Sequence, residues 1–513
     1  MENNLINEEA RTNELLLIDT TSEVSKEISE EFSLPDYVPE VRRVLCVRAQ
    51  PLPEGKFVNS AQGRAELETN GTVTYSLIYQ NDSGNLCALP LSSTYETVIP
   101  LNDTPYLTRN NVYAENVNVR VSAPRKINIR STIKNRVLAF KKSECNAQIM
   151  PNSSAEQIYL QKREKNISTL SLVEIAKENI KISERLDNLS DGEKPIWCDA
   201  SVLLNEVKCQ KDMVLARGEV SIKCLLVSDG KENVIERTFP VSEEIKVDGI
   251  ENGNMARLYG RCVSLSISNE QSEKNNELFF DLTYELHGEV VKNKETAVEI
   301  DAYSLNHESE SSYKELEYQS SISSGVTSFT VNETIKRKNK DINEIIATLI
   351  DPVYEKCEIK GNKVNLLGTM YITVIGKSMD EDGTTLEYLS EEYKLPIKLE
   401  VEGAKDTNKI TSLCNLALGN SSVRYDEESL RITAEVFASY SLYGTYSERV
   451  LDTLNIKTDK EIKRNNSEVR VCFVKKGEEL WDIAKRYHTT TTKLKEQNDL
   501  IDDELFNKKC LII

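Results

Sequence analysis

Apolar and polar residues alternate with a period of two through most of this 513-residue chain, the pattern that buries one face of a β-strand and wets the other. Three stretches repeat one arrangement. Glu66 to Gly84 (ELETNGTVTYSLIYQNDSG), Met213 to Gly230 (MVLARGEVSIKCLLVSDG) and Lys363 to Gly383 (KVNLLGTMYITVIGKSMDEDG) share an apolar run, a glycine, alternating apolar positions and a polar turn ending in glycine. The matched glycines are Gly71, Gly218 and Gly368, 147 and 150 residues apart. Each turn is followed by a returning strand (TYETVIPL, SEEIKVDGI, YKLPIKLEV). Further alternating runs occupy Val117 to Arg130, Arg261 to Ser268 and Leu430 to Gly444.

Self-similarity at this spacing predicts three tandem copies of one antiparallel β domain, a sandwich or an open barrel. The copies span 1–150, 166–305 and 325–458. Each has a lead-in (LLLIDTTSEVSKEISEEF, STLSLVEIAKENIKISERL, TSFTVNETIKRKNKDINEI) that reads as a strand running into a charged, helical segment. The polar stretches Pro151 to Lys165, His307 to Ser324 and Asp459 to Glu468 hold too few apolar residues to pack alone and read as linkers.

From Val469 the period changes. VRVCFV alternates as a strand, then Leu480, Ile483, Ala484 and Tyr487 fall at i, i+3, i+4 and i+7 on one helical face. The threonine run Thr489 to Thr492 offers an N-cap hydroxyl to a second helix bearing Leu494, and CLII returns as a strand. Residues 468–513 are thus a small β-α-α-β unit. It carries nine Lys/Arg against nine Asp/Glu on a chain whose net charge is −19.

That charge speaks against a nucleic-acid backbone or an anionic membrane as direct partner. The first residues, MENNLINEEARTNELLLID, lack the basic and long apolar regions of a signal peptide. Eleven cysteines without a C-x-x-C pair favour reduced, mostly core thiols in a cytoplasm. Three histidines, His287, His307 and His488, lie in three different units, which leaves no local zinc site or histidine-based catalytic group. Gly376-Lys377-Ser378 ends like a phosphate loop, but Tyr371 stands where that loop needs glycine. The residues therefore predict no enzyme and no cofactor. From Asn116 to Ser143 there is no acidic residue and there are eight basic ones, Arg120, Arg125, Lys126, Arg130, Lys134, Arg136, Lys141 and Lys142. This run is either the wet face of a strand pair balanced by acidic neighbours or a docking patch for an acidic protein partner or anionic lipid heads, with Arg120, Arg125, Lys126 and Arg130 as its candidate residues.

The run V-x-F-V-K-K-G-E-E-L-W-D-I-A-K-R-Y, followed by K-L-K-E-Q-N-D-L, resembles a LysM domain end to end. In that family two loops beside the helices form a groove for N-acetylglucosamine polymers. By motif position the groove here would be built from Lys476, Gly477, Glu478 and Glu479 on one side and from Leu500, Ile501 and Asp502 through Asn507 on the other. Glu479 replaces a usual threonine or serine, His488 a usual glycine, and Asn507-Lys508 a usual Pro-Gly, departures that weaken the sugar reading. Upstream, L-P-D-Y-V-P-E-V (Leu34 to Val41) and R-K-I-N-I-R (Arg125 to Arg130) resemble the SPOCS domains of endospore-forming bacteria.

SPOCS repeats followed by one LysM domain resemble the spore-coat morphogenetic family. The resemblance implies a role in the mother-cell cytoplasm at the outer forespore membrane, with the membrane met only indirectly. It implies as partner the stage IV sporulation protein A ATPase (SpoIVA), other coat proteins being further candidates, and no nucleic acid. The partner would be bound through Val469, Lys476, Gly477, Glu478, Glu479, Trp481, Tyr487, Leu500, Ile501 and Asn507. The alternative is a LysM-mediated peptidoglycan binder of the cell wall or spore cortex.

Overall fold

The structure, a computed structural model, describes residues 13–61, 64–152, 157–186, 193–228, 231–271, 276–379, 385–403, 407, 409–426, 428–462, 470–475, 477–503 and 510–513. It is mainly β. The first copy contains β1 (Glu14–Ser33), β2 (Val41–Ala61), β3 (Arg64–Asn81), β4 (Leu86–Leu101), β5 (Leu107–Ala123) and β6 (Lys126–Glu144), followed by the short β7 (Gln148–Pro151). The second contains β8 (Leu160–Leu186), β9 (Lys194–Gln210), β10 (Met213–Ser228), β11 (Lys231–Lys246), β12 (Met255–Gln271) and β13 (Asn276–Ser304). The third contains β14 (His307–Lys336), β15 (Glu344–Lys360), β16 (Lys363–Met379), β17 (Thr385–Glu402), β18 (Lys409–Tyr425) and β19 (Ser429–Glu461).

Topology repeats strand for strand. Strands two, three and four of each copy form one antiparallel sheet (β2-β3-β4, β9-β10-β11, β15-β16-β17). Strands one, six and five form the other (β1-β6-β5, β8-β13-β12, β14-β19-β18). The second strand packs across onto the fifth in every copy, so each is an open sandwich and not a closed barrel. Its core is the inward half of the alternation, as with Val73, Tyr75, Leu77 and Tyr79 facing Ile127, Ile129 and Ile133 in the first copy.

The matched glycines mark where the second strand is irregular. Ideal Cβ atoms on Gly71, Gly218 and Gly368 would lie 2.2 Å from Leu52 O, 1.9 Å from Leu203 O and 2.4 Å from Val353 O. The neighbouring strand shifts register beside each of these close approaches. Only a residue without a side chain lets the two backbones meet there. Gly84 closes its hairpin at φ 84°, as a tight turn needs; the corresponding tips at Gly230 and Gly383 lie outside the described residues.

Three copies close into a ring. The fourth strand of each meets the second strand of the next, β4 on β9, β11 on β15 and β17 on β2. Ile78, Leu225 and Ile375, each seven residues past its matched glycine, turn away from their own sandwiches and pack together with Leu45, Trp197 and Leu349. Beside them Arg48 of β2 bridges Asp199 of β9 and Asp351 of β15. A second junction gathers Phe140, Leu170, Val291 and Tyr443, with Phe140 and Tyr443 edge to face at 5.9 Å.

The lead-ins and linkers differ from expectation. The first two lead-ins are continuous strand, while the third is strand to Lys336 and then a turn before β15 opens at Glu344. In the first, the charges stand on the outward face and pair with the sixth strand, Glu23 with Lys134 and Arg136, Glu27 with Arg130, Glu31 with Lys126. His307 to Ser324 is the first half of β14, hydrogen-bonded along β19, and Leu160 to Lys165 opens β8. Asp459 to Glu461 ends β19, and the rest of that third stretch through Glu468 is described only at Ile462. These polar segments are low in apolar residues because one face of each hairpin stays wet. The other face packs into a stem where Leu15, Ile167, Val298, Leu316 and Val450 from the three copies meet. β7 joins the stem by pairing parallel to β19.

One cysteine pair corrects the all-thiol expectation. Cys198 and Cys224 face each other across β9 and β10, with Cα atoms 4.2 Å apart, and form a disulfide. Strand register brings them together, which their sequence separation of 26 does not reveal. The other nine cysteines are free, with Cys46, Cys145, Cys414 and Cys472 buried and Cys510 exposed.

Candidate partner-binding module and its seat

The C-terminal unit comprises β20 (Val471–Phe473), α1 (Leu480–Arg486), α2 (Thr491–Asn498) and β21 (Cys510–Ile512), with β20 and β21 antiparallel. Gly477 sits at φ 82°, where glycine turns the first loop without strain. Glu479 is the N-cap of α1, and Asp482 returns the cap by accepting from the Glu479 amide at 3.2 Å. Thr490 caps α2, its hydroxyl accepting from Lys493 N at 3.1 Å, as the threonine run predicts. Asn498 clamps β21 by exchanging 2.7 Å hydrogen bonds with the Ile512 backbone. Leu480, Ile483, Ala484, Leu494, Cys472 and Leu511 form the core.

Trp481 does not face a ligand groove. It is 7% exposed, its indole nitrogen donates to Asp301 Oδ2 at 2.7 Å, and its ring meets Tyr303 edge to face at 5.1 Å. Asp301 also accepts from Lys485 at 2.6 Å and from the Tyr313 hydroxyl at 2.8 Å. Burial raises the Asp301 pKa, but the bonds from Lys485, Trp481 and Tyr313 outweigh it and leave the carboxyl below its ordinary value. The Tyr303 hydroxyl donates to Thr489 O at 2.7 Å. The seat is therefore the stem end of β13 with neighbouring β8 and β14.

The two departures from the LysM pattern at described positions are contacts to this seat. Glu479 pairs with Arg163 of β8 at 2.7 Å. His488, at φ 53° where the family has glycine, bonds through Nδ1 to Ser304 O at 2.9 Å. Nothing in the local pattern signals Arg163, Asp301, Tyr303 or Ser304: the register shift of β13 between Glu299 and Asp301 shows only in its pairing, and their partners lie 180 to 316 residues away.

The predicted contact residues thus do not share one face. Glu479 and Trp481 turn toward the seat; Tyr487 and Leu500 are half-buried against the module core. Glu478 is tied to Arg486 and to the Lys475 amide. Gly477 and Ile501 stand out, Ile501 being 99% exposed. Val469, Lys476 and Asn507 lie outside the described residues. A face that sequence reasoning passed over is the outer side of β20 and β21, where Phe473 (76% exposed), Val471 and Ile512 form an apolar strip. Its signal was the alternation in VCF and CLI, which puts Cys472 and Leu511 inside and their neighbours out.

The basic run of the first copy is an ion-pair ladder. Arg125 pairs with Glu40, Lys126 with Glu31, Arg130 with Glu27, Lys141 with Asp19 and Lys142 with Glu14. Lys134 reaches Glu23 and Glu115, and Arg136 reaches Glu23. Arg120 is exposed on β5. The acidic lead-in thus neutralises most of the run.

The LysM domain family matches residues 473–507, and the SipL SPOCS domain family matches residues 193–268, which are β9 to β12 of the second copy. The same six-strand topology recurs in the first and third copies. The chain thus combines a SPOCS β domain with a C-terminal LysM module. That is the domain content of a SipL-type protein, and the SPOCS domain implies a link to sporulation. No curated protein and no solved structure matches it significantly. Among the described residues no helix is long and apolar enough to cross a membrane.

Proposed function

We propose that this protein is a non-enzymatic adaptor of spore-coat assembly that holds the SpoIVA ATPase through its LysM module. It would act in the mother-cell cytoplasm at the outer forespore membrane, other coat proteins docking on the repeats. The supporting observation is the module's orientation. Its tryptophan face is spent on Asp301 and Tyr303, and the groove loop at Glu479 is engaged by Arg163. What stays open is the strip Val471, Phe473 and Ile512. An exposed aromatic flanked by aliphatic residues on a strand pair is the kind of anchor that protein interfaces bury at their centre. Binding an N-acetylglucosamine polymer would instead use the loops at Gly477 to Glu479 and Leu500 to Asn507, one of which is already tied to the stem.

The test uses the full chain with Phe473→Glu, co-sedimented with polymerised SpoIVA and, separately, with insoluble peptidoglycan. Loss of SpoIVA binding by at least tenfold with unchanged Tm is the expected result. Undiminished SpoIVA binding, or strong pelleting of the unaltered chain with peptidoglycan alone, overturns the reading.

A further inference from the structure

At the junction of the three repeats lies an open cleft of about 200 Å³. Five cationic side chains line it, Lys56, Arg109 and Arg136 from the first repeat and Arg257 and Arg261 from the second, against the carboxylates of Glu54 and Glu174. The third repeat contributes Ser412 and Asn415.

Part of this charge is neutralised from behind. Glu289, fully buried, accepts from Arg257 Nε at 2.7 Å and Arg109 Nε at 3.0 Å. Arg109 also reaches Glu174 at 3.1 Å, Arg261 pairs with Glu285 at 2.7 Å, and Arg136 with Glu23. Two guanidinium N–H groups remain without an acceptor after these pairings, and one ammonium is held only by a carbonyl. Arg109 is only 8% exposed, yet its Nη2 has no hydrogen-bond partner, and neither has Arg261 Nε. Lys56, at the exposed mouth, donates to the Thr108 carbonyl at 3.2 Å. Desolvation and, after it, the proximity of Arg109 lower the Lys56 pKa, with Glu174 acting in the opposite direction. A buried guanidinium N–H left without an acceptor is costly, and guanidinium groups converging from separate strands are suited to an oxyanion.

We propose that this cleft is a binding site for a small phosphate-class oxyanion, held between Arg109 on the floor, Arg261 on the wall and Lys56 at the mouth. A tetrahedral dianion accepts from donors on several sides at once, which a planar monocarboxylate does less completely. Its volume admits inorganic phosphate or a small phosphate monoester. Because the donors come from β2, β5 and β12, an occupied site ties the first repeat to the second. The inference is independent of the LysM reading and uses no residue of the module.

Titration calorimetry and thermal unfolding of the full chain with sodium phosphate, glycerol phosphate and malonate, at constant ionic strength, test it. A bound anion stabilises the folded ring, so Tm should rise with the logarithm of its concentration. Saturable binding of phosphate or glycerol phosphate, at least tenfold weaker in Lys56→Gln, is the expected result, and the better of the two identifies the source. Arg109→Lys, which keeps the charge but loses the guanidinium fork, should also weaken binding; should it fail to fold, Lys56→Gln decides, since its side chain reaches only a carbonyl. No saturable binding of either phosphate, preference for malonate, or equal affinity in Lys56→Gln overturns the proposal.

Discussion

Replacing Asp301 by alanine should release the LysM module from the stem without unfolding either. The carboxylate accepts from Trp481 Nε1, from Lys485 Nζ and from the Tyr313 hydroxyl. Its removal strands the indole N–H in a buried contact, which costs about 1–3 kcal/mol. It also breaks an ion pair in which the Lys485 side chain is 33% exposed, discounted for that exposure to about 1 kcal/mol. A total near 3 kcal/mol shifts the docked-to-undocked ratio by roughly 10²-fold. Asp301→Asn, which keeps one acceptor but no charge, should lose about half of this.

The chain has only two tryptophans, and Trp197 lies in the central cluster, so acrylamide quenching reports on Trp481 against a constant background. Asp301→Ala should red-shift the emission and make about half of it quenchable while the main thermal transition stays put. An unchanged quenching curve would refute the seat. A main transition that falls in step with quenching would instead assign Asp301 to the stem's own folding.

Two further outcomes follow from the same geometry. Because the Asp301 pKa is depressed in the folded state, its contribution is present above the ordinary carboxylate range and is lost as pH falls through the lowered value. Docking followed by Trp481 quenching should therefore hold from pH 7 down to about pH 4 and fail only below that; release near pH 6 would contradict the assignment. Gly218→Ala puts a Cβ 1.9 Å from Leu203 O, and Gly71→Ala and Gly368→Ala meet equivalent carbonyls. Each should lower stability by about 2–3 kcal/mol, read as a lower Tm in calorimetry.

Much of the β architecture was legible because it is written locally. The glycine at the pinch, the alternation after it and the turn recur at a spacing close enough to expose three copies. Even the ring left a trace: in YSLIYQ, KCLLVS and ITVIGK the alternation breaks at Ile78, Leu225 and Ile375, and such a break places apolar residues on both faces of a strand. The lead-ins misled because Glu23, Glu27 and Glu31, four apart, fit a helix face as well as the outer face of a strand. Only their partners on β6 decide between the two. The seat for Trp481 was not legible at all, since neither the register shift of β13 at Asp301 nor a partner some 180 residues away is written in the local pattern.

Concatenating three like units in one polypeptide has a consequence that a homotrimer could not reach. Three identical subunits must present identical side chains around their axis, so an arginine there would confront two other arginines. Here Arg48 meets Asp199 and Asp351 instead, a lopsided trio that needs each unit to have diverged on its own. The same freedom lets the join between the second and third units be fashioned into one perch. The stoichiometry is thereby fixed at a single LysM head for every three sandwiches.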